Sequence, residues 1–313
     1  MRPLMRPSVG PALALLCIQG GSSCASRSGL LPNVPLPTGG GAQVWADIAW
    51  DGGWRVQRHI WTGHARLLDE NDVRRAWGSP DACRARLVDC RAEGALGSPS
   101  HQPLVVLLHG LWRTRDAMGP LKDALQERGF EVLDVCYPST RRSIEQHAEQ
   151  VAGLLNGLNS EGRDIHFVTH SLGALVTRAL FARDGDPWRE EQTLGSAVFI
   201  AAPHQGAALA RTGSRIPFAL SLYGLPARQI AAGHAVLLPT PPMRFLNIAA
   251  GRGTGGWNPL IEGDDDGVVG VSEAHLDGEE DFLRVEGMHT FVAKDPDVHD
   301  EVIRFLQGST HPH

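Results

Sequence analysis

From Pro103 onward the chain alternates strand-like and helix-like segments with short connections, and this alternation constrains the fold more than any other feature. The run 103-PLVVLLH-109 is continuously apolar, as expected of a strand with both faces buried in a parallel sheet. The amphipathic stretch 116-DAMGPLKDALQERG-129 follows and stops on a glycine. Then come strand 130-FEVLDVCYP-138, helix 141-RRSIEQHAEQVAGLLNGL-158, strand 163-RDIHFVTH-170, helix 172-LGALVTRALFAR-183 and strand 194-LGSAVFIAAP-203. Two short strands, at 244–250 and 281–286, and a closing helix, 296-PDVHDEVIRFLQ-307, complete the series. Such a pattern predicts an α/β protein with a mostly parallel central sheet and helices on both faces.

The 313 residues, 42% of them hydrophobic, suffice for one large domain with a substantial core. The formal net charge is −6 and no basic stripe marks a nucleic-acid partner. Nothing in the sequence sets an oligomeric state. Arg2 and Arg6 precede the short apolar run 8-SVGPALALLCIQGG-21 and the small residues 22-SSCAS-26, the pattern of an export leader over residues 1–26. Cleavage before a lipidated Cys24 is the alternative, tying the protein to a membrane surface, although Gly21 stands where such leaders carry a large aliphatic residue. A misassigned start would instead leave the protein in the cytoplasm.

Residues 27–41 are Pro- and Gly-rich and read as a linker. In 43-QVWADIAW-50 and 54-WRVQRHI-60 apolar residues alternate on either side of Asp51-Gly52-Gly53. This predicts a β-hairpin, taken here to extend the sheet. Residues 61–101 are polar, turn-rich and irregular in pattern. Within them Cys83 and Cys90 lie seven apart, placed to pair in an oxidising compartment, which would stabilise by about 2–3 kcal/mol. Cys136 reads as a buried strand thiol, and the thiols show no metal-binding spacing.

Ser171 sits where a strand-like run turns directly into a helix. A serine there is commonly a helix N-cap. The same turn, if tight, exposes the hydroxyl above the sheet edge as a nucleophile, with the helix N-terminus aimed at the reacting oxygen. Gly173 supplies one small neighbour of that G-x-S-x-G elbow; Thr169 occupies the other glycine position. A serine needs a base, and the base an orienting acid, following on such a sheet in the order serine, acid, histidine. The acid is Asp266 in 263-GDDDGVVG-270, with Asp265 second; a solvated turn or a calcium loop are the plainer readings of this aspartate run. The base is His289, in 287-GMHTF-291 after the last strand. Backbone N–H groups of Leu172 and Leu111 are the candidate oxyanion donors, Gly110 allowing close approach, while His109 is expected to brace that loop.

On these residues the chain from about Pro103 to Gln307 resembles the α/β-hydrolase superfamily, in particular bacterial serine esterases and lipases. The matching pieces are His109-Gly110, 169-THSLG-173, Asp266-Gly267 and His289-Thr290; 137-YPST-140 and 200-IAAPHQGAALA-210 resemble a lipase-like subgroup, with His204 in place of an Asn. The resemblance implies an α/β-hydrolase fold with a short lid insertion, and hydrolysis of a small-molecule or lipid ester through an acyl-enzyme without cofactor or metal. Acyl transfer, thioester cleavage and polyester cleavage use the same triad, and a non-catalytic binding protein is the rival from another class. The insertion at 207–243 is either a lid or a packed connection. Trp112, Phe218, Leu222, Tyr223 and Leu225 are the candidate pocket residues.

Overall fold

The computed structural model describes residues 38, 43–158, 162–213, 224–253 and 255–308. The leader at 1–26 with Cys24, most of the linker, and the pocket candidates Phe218, Leu222 and Tyr223 lie outside the described residues.

The alternating pattern after Gln43 folds into antiparallel strands β1 (Trp45–Asp51) and β2 (Trp54–His59). Their two-residue connection, Gly52-Gly53, has φ of +53° and +86°, the primed turn that suits a right-twisted hairpin and that glycine adopts freely. The hairpin does not extend the parallel sheet. With β3 (Ala65–Leu68) and β4 (Arg74–Gly78) it makes a separate four-stranded sheet in the order β1-β2-β3-β4. Helix α1 (Pro80–Ala92) covers this sheet, capped by Ser79 Oγ, which accepts from Ala82 N–H at 3.2 Å. Its buried side chains are Cys83, Leu87 and Cys90, packed with Trp54, Val56 and Leu67. The suggested Cys83–Cys90 pairing is therefore corrected: both are buried free thiols on one helix face. Seven residues of helix separate their Cα atoms by about 10 Å, too far for a disulfide.

The apolar runs form a six-stranded, wholly parallel sheet in the order β10-β9-β8-β7-β5-β6. Its strands are β5 (Leu104–Leu108), β6 (Glu131–Asp134), β7 (Asp164–His170), β8 (Thr193–Ile200), β9 (Phe245–Gly251) and β10 (Asp281–Glu286). Period two divides β5 between two cores. Leu104, Val106 and Leu108 face α3 (Ile144–Leu155) and α4 (Leu172–Phe181). Val105 and Leu107 belong to the other core, with α2 (Gly119–Glu127) and the C-terminal helix (Pro296–Leu306). Between β8 and β9 the 207–243 insertion carries helices at Ala208–Gly213 and Leu225–Ala231.

The chain runs outward from β5 to β6, then returns to place β7 on the other side of β5. That reversal, at the carboxyl ends of β5 and β7, is the usual binding position in an open α/β sheet. Beyond the β6 edge a buried ionic cluster joins the two sheets: Arg55 of β2 reaches Asp47 at 3.0 Å and Asp134 at 2.6 Å, and Asp134 also takes Arg115 at 2.8 Å and Lys122 at 3.2 Å. Among the described residues no helix is long and apolar enough to cross a membrane.

Candidate active site

Ser171 stands alone between β7 and α4, at φ +54° and ψ −117°. A non-glycine residue held there costs about 1–3 kcal/mol, so the surroundings must impose it. They do so through backbone and through glycine. Ser171 N–H continues the sheet by donating to Ile200 C=O at 2.9 Å. A Cβ on Gly173 would lie 2.4 Å from Leu108 carbonyl oxygen, so α4 approaches β5 this closely only with glycine at that position. A Cβ on Gly110 would come within 2.9 Å of His170 Nδ1 and 3.2 Å of Ser171 Cβ. The serine side chain makes no cap hydrogen bond, so the plain N-cap reading does not describe it.

Its hydroxyl instead meets His289, whose Nε2 is 2.9 Å from Ser171 Oγ. The opposite ring nitrogen, Nδ1, is 2.7 Å from Asp266 Oδ2. A carboxylate only accepts, so Nδ1–H donates to Asp266 and Nε2 is left to accept the serine proton. Asp266 is 1% exposed at its side chain and His289 12%, which keeps the pair out of bulk water while leaving the ring edge reachable. The second carboxylate oxygen of Asp266 accepts from Val268 N–H at 2.9 Å and Val269 N–H at 2.8 Å. His289 N–H donates to Asp266 C=O at 2.9 Å, tying the two loops together.

The three consecutive aspartates thus have three tasks. Asp265, the second candidate, accepts from Gly267 N–H at 2.7 Å and Asn258 N–H at 3.0 Å and shapes the turn. Asp264 accepts from Arg252 and Gly253 N–H groups and from Arg284. Among the described residues no group of three or more His, Cys, Asp or Glu side chains converges as a metal site would require.

Two further histidines brace rather than react. Burial, with His289 close beside it, holds His170 well below the usual imidazole range. It remains neutral, and its Nε2–H donates to His289 C=O at 2.9 Å. His109 is lowered to about 4 by burial; its Nδ1 is 2.9 Å from Gly110 carbonyl oxygen and its ring stacks on Tyr137, whose hydroxyl donates to His109 C=O. His204, lowered to about 3 by burial, lies 2.9 Å from Asn247 Oδ1 and is packed beside Arg178.

Leu172 is the first residue of α4, so its N–H has no carbonyl four residues back within the helix to bond. Leu111 follows Gly110 in the turn that abuts Ser171, its side chain packed on the main core. Trp112 is 51% exposed and Leu225 45%. The sequence reading missed two ties of this loop. Arg113 donates to Thr290 Oγ1 at 2.8 Å, and Gln43 donates to Arg113 C=O at 2.7 Å. Thr290 was visible as a neighbour of His289, but nothing local marks Gln43, seventy residues away.

A model of the alpha/beta hydrolase family matches residues 105–306. A search of curated proteins finds no match. Among solved structures, the chain is similar to a lipase of Bacillus licheniformis in its mature form, at 16% identity and a TM-score of 0.52, over 66% of this chain and 92% of that one. Against the propeptide form of the same lipase the identity is 15% and the TM-score 0.55, over 68% of this chain and 52% of that one, about half its length. At these identities the likeness is one of fold.

Proposed function

The chain belongs to the alpha/beta hydrolase family, and on that premise we propose that it is a serine hydrolase of carboxylic esters. The observation that carries this reading is the single imidazole of His289 spanning Ser171 Oγ and Asp266 Oδ2, at 2.9 and 2.7 Å, above the switch point of the sheet.

In this reading Ser171 Oγ attacks the ester carbonyl as His289 Nε2 takes its proton. Asp266 holds the tautomer and stabilises the imidazolium that forms. The carbonyl oxygen gains charge and is met by the N–H groups of Leu172 and Leu111, fixed in place before the reaction begins. His289 returns the proton to the departing alcohol, leaving an acyl-serine, and a water activated by the same imidazole then releases the acid. The neutral state of His170 matters here. Beside the imidazolium it adds no second positive charge, and its bond to His289 C=O fixes the loop. Gly224 of the 207–243 insertion lies against the segment after β6, where a Cβ would meet the Thr140 carbonyl oxygen at 2.1 Å, and in this reading the insertion covers the acyl group.

The test is labelling of purified protein by a fluorophosphonate, with turnover of a short p-nitrophenyl ester measured alongside. Wild type is expected to label and turn over. Ser171→Ala should not label, and its turnover should fall about 10⁴- to 10⁶-fold. Folded wild type that neither labels nor hydrolyses any ester from acetate to long acyl chains, with or without detergent, would overturn the proposal.

A further inference from the structure

The turn that carries Leu111 N–H is built in a conformation that its own sequence disfavours. Arg113 N–H donates to Gly110 C=O at 3.2 Å, closing the turn, and Trp112, its third residue, has φ +60°. A positive φ at the third position is type II geometry, which selects glycine there. A tryptophan in that place costs about 1–3 kcal/mol, so contacts from outside the turn must hold it.

Those contacts grip the two backbone groups at the strained corner. Trp112 N–H donates to Ser139 Oγ at 3.1 Å, and Arg113 C=O accepts from Gln43 Nε2 at 2.7 Å. Gln43 also holds Ser139 itself: Ser139 Oγ lies 3.0 Å from Nε2 and 3.2 Å from Oε1. The same Oε1 accepts from Thr140 N–H at 3.1 Å and from the Thr140 hydroxyl at 3.2 Å. One carboxamide therefore joins the turn after β5 to the segment after β6, and it does so from the residue two before β1. Ser139 is fully buried, so its hydroxyl has no water to take the place of these partners.

Resting on the ester-hydrolysis reading, we infer that Gln43 is a positioning residue, which through Ser139 holds the Gly110–Arg113 turn so that Leu111 N–H stays aimed at the developing oxyanion. Released, the turn relaxes toward type I by rotating the Leu111–Trp112 peptide, and the donor residue shifts with it. The segment leading into the N-terminal sheet is in this way part of the working site, although it supplies no reacting atom.

Gln43→Leu keeps nearly the same volume and removes every hydrogen bond; Ser139→Ala removes the other half of the clamp. With a soluble p-nitrophenyl ester, each is expected to lower kcat about 10- to 100-fold with KM within about twofold. Affinity for an alkyl boronic acid, which forms a tetrahedral adduct on serine, should fall by the same factor. The double variant should be no worse than the poorer single one, because both break one chain of contacts. Gln43→Glu retains the acceptor toward Thr140 but cannot donate to Arg113 C=O, and should not restore kcat. Should Gln43→Leu fail to fold, Ser139→Ala carries the same readouts. An unchanged kcat, or a loss expressed in KM with boronate affinity intact, overturns the inference while leaving the hydrolase reading in place. An inactive wild type overturns that reading, and the inference with it.

Discussion

Asp264, Asp265 and Asp266 are chemically identical and adjacent, yet their environments separate them completely. Only Asp266 faces an imidazole; the other two hold backbone N–H groups of the loop. Substitution by the isosteric amide tests this division. Asp266→Asn removes the charge that selects the His289 tautomer, so kcat should fall about 10³- to 10⁴-fold in the p-nitrophenyl ester assay, with the unfolding temperature little changed. Asp265→Asn should show the reverse pattern, near-normal kcat and a lowered unfolding temperature, because an amide cannot accept from both Gly267 and Asn258 without turning a donor toward one of them. If Asp265→Asn were the inactive variant, the assignment of the acid would be wrong. The order of the aspartates was legible in the sequence, but which carboxylate turns toward His289 depends on the turn geometry.

The elements of the parallel sheet were legible because its inner strands bury both faces and the covering helices show broad apolar stripes. Helix α1 was not. Its stripe is Cys83, Leu87 and Cys90, the i, i+4, i+7 spacing of a helix face, but two of its three members are cysteines, whose spacing also suits a short disulfide loop. β4 carries two arginines and buries only Ala76, so it shows little alternation. Packing settles the question in favour of core. Burial pushes the Cys83 thiol up to about 11, and Cys90 and Cys136 are buried as well. Native protein should therefore leave Cys83, Cys90 and Cys136 unmodified by a thiol reagent at neutral pH, and full unfolding should expose all three. Peptide mapping by mass spectrometry checks this; a Cys83–Cys90 linked peptide from non-reduced native protein would contradict the helix.

At the scale of the whole molecule, the N-terminal sheet joins the parallel one through Trp50 of β1, which packs in the main core, and through the buried ionic cluster. Asp134 is buried, which opposes ionisation, but Arg55, Lys122 and Arg115 outweigh burial and hold its carboxyl well below the usual range. A depressed folded-state pKa stabilises above the unfolded value, near 3.9, and that stabilisation disappears as pH falls toward the folded value. Asp134→Asn leaves the Arg55 charge only partly compensated in a buried place and should cost about 3–5 kcal/mol at neutral pH. Denaturant melts at several pH values should show the gap between wild type and variant narrowing below about pH 4. A gap that is absent at pH 7, or that widens in acid, would show that the cluster does not hold the sheets together.

What the sequence determined by itself was whatever is written in local periodicity and order along the chain. The alternation of strands and helices, the glycine two residues after Ser171, and the order of Ser171, Asp266 and His289 after β7, β9 and β10 all follow from that. A strand that buries both faces and a turn too tight for a side chain leave their marks within a few residues. The tertiary structure alone decided that the early hairpin belongs to its own sheet and that Gln43 holds the turn beside Ser171. Those outcomes depend on hydrogen bonds and ion pairs between residues tens of positions apart. Such contacts are directional and specific in space, but they impose no period on the sequence.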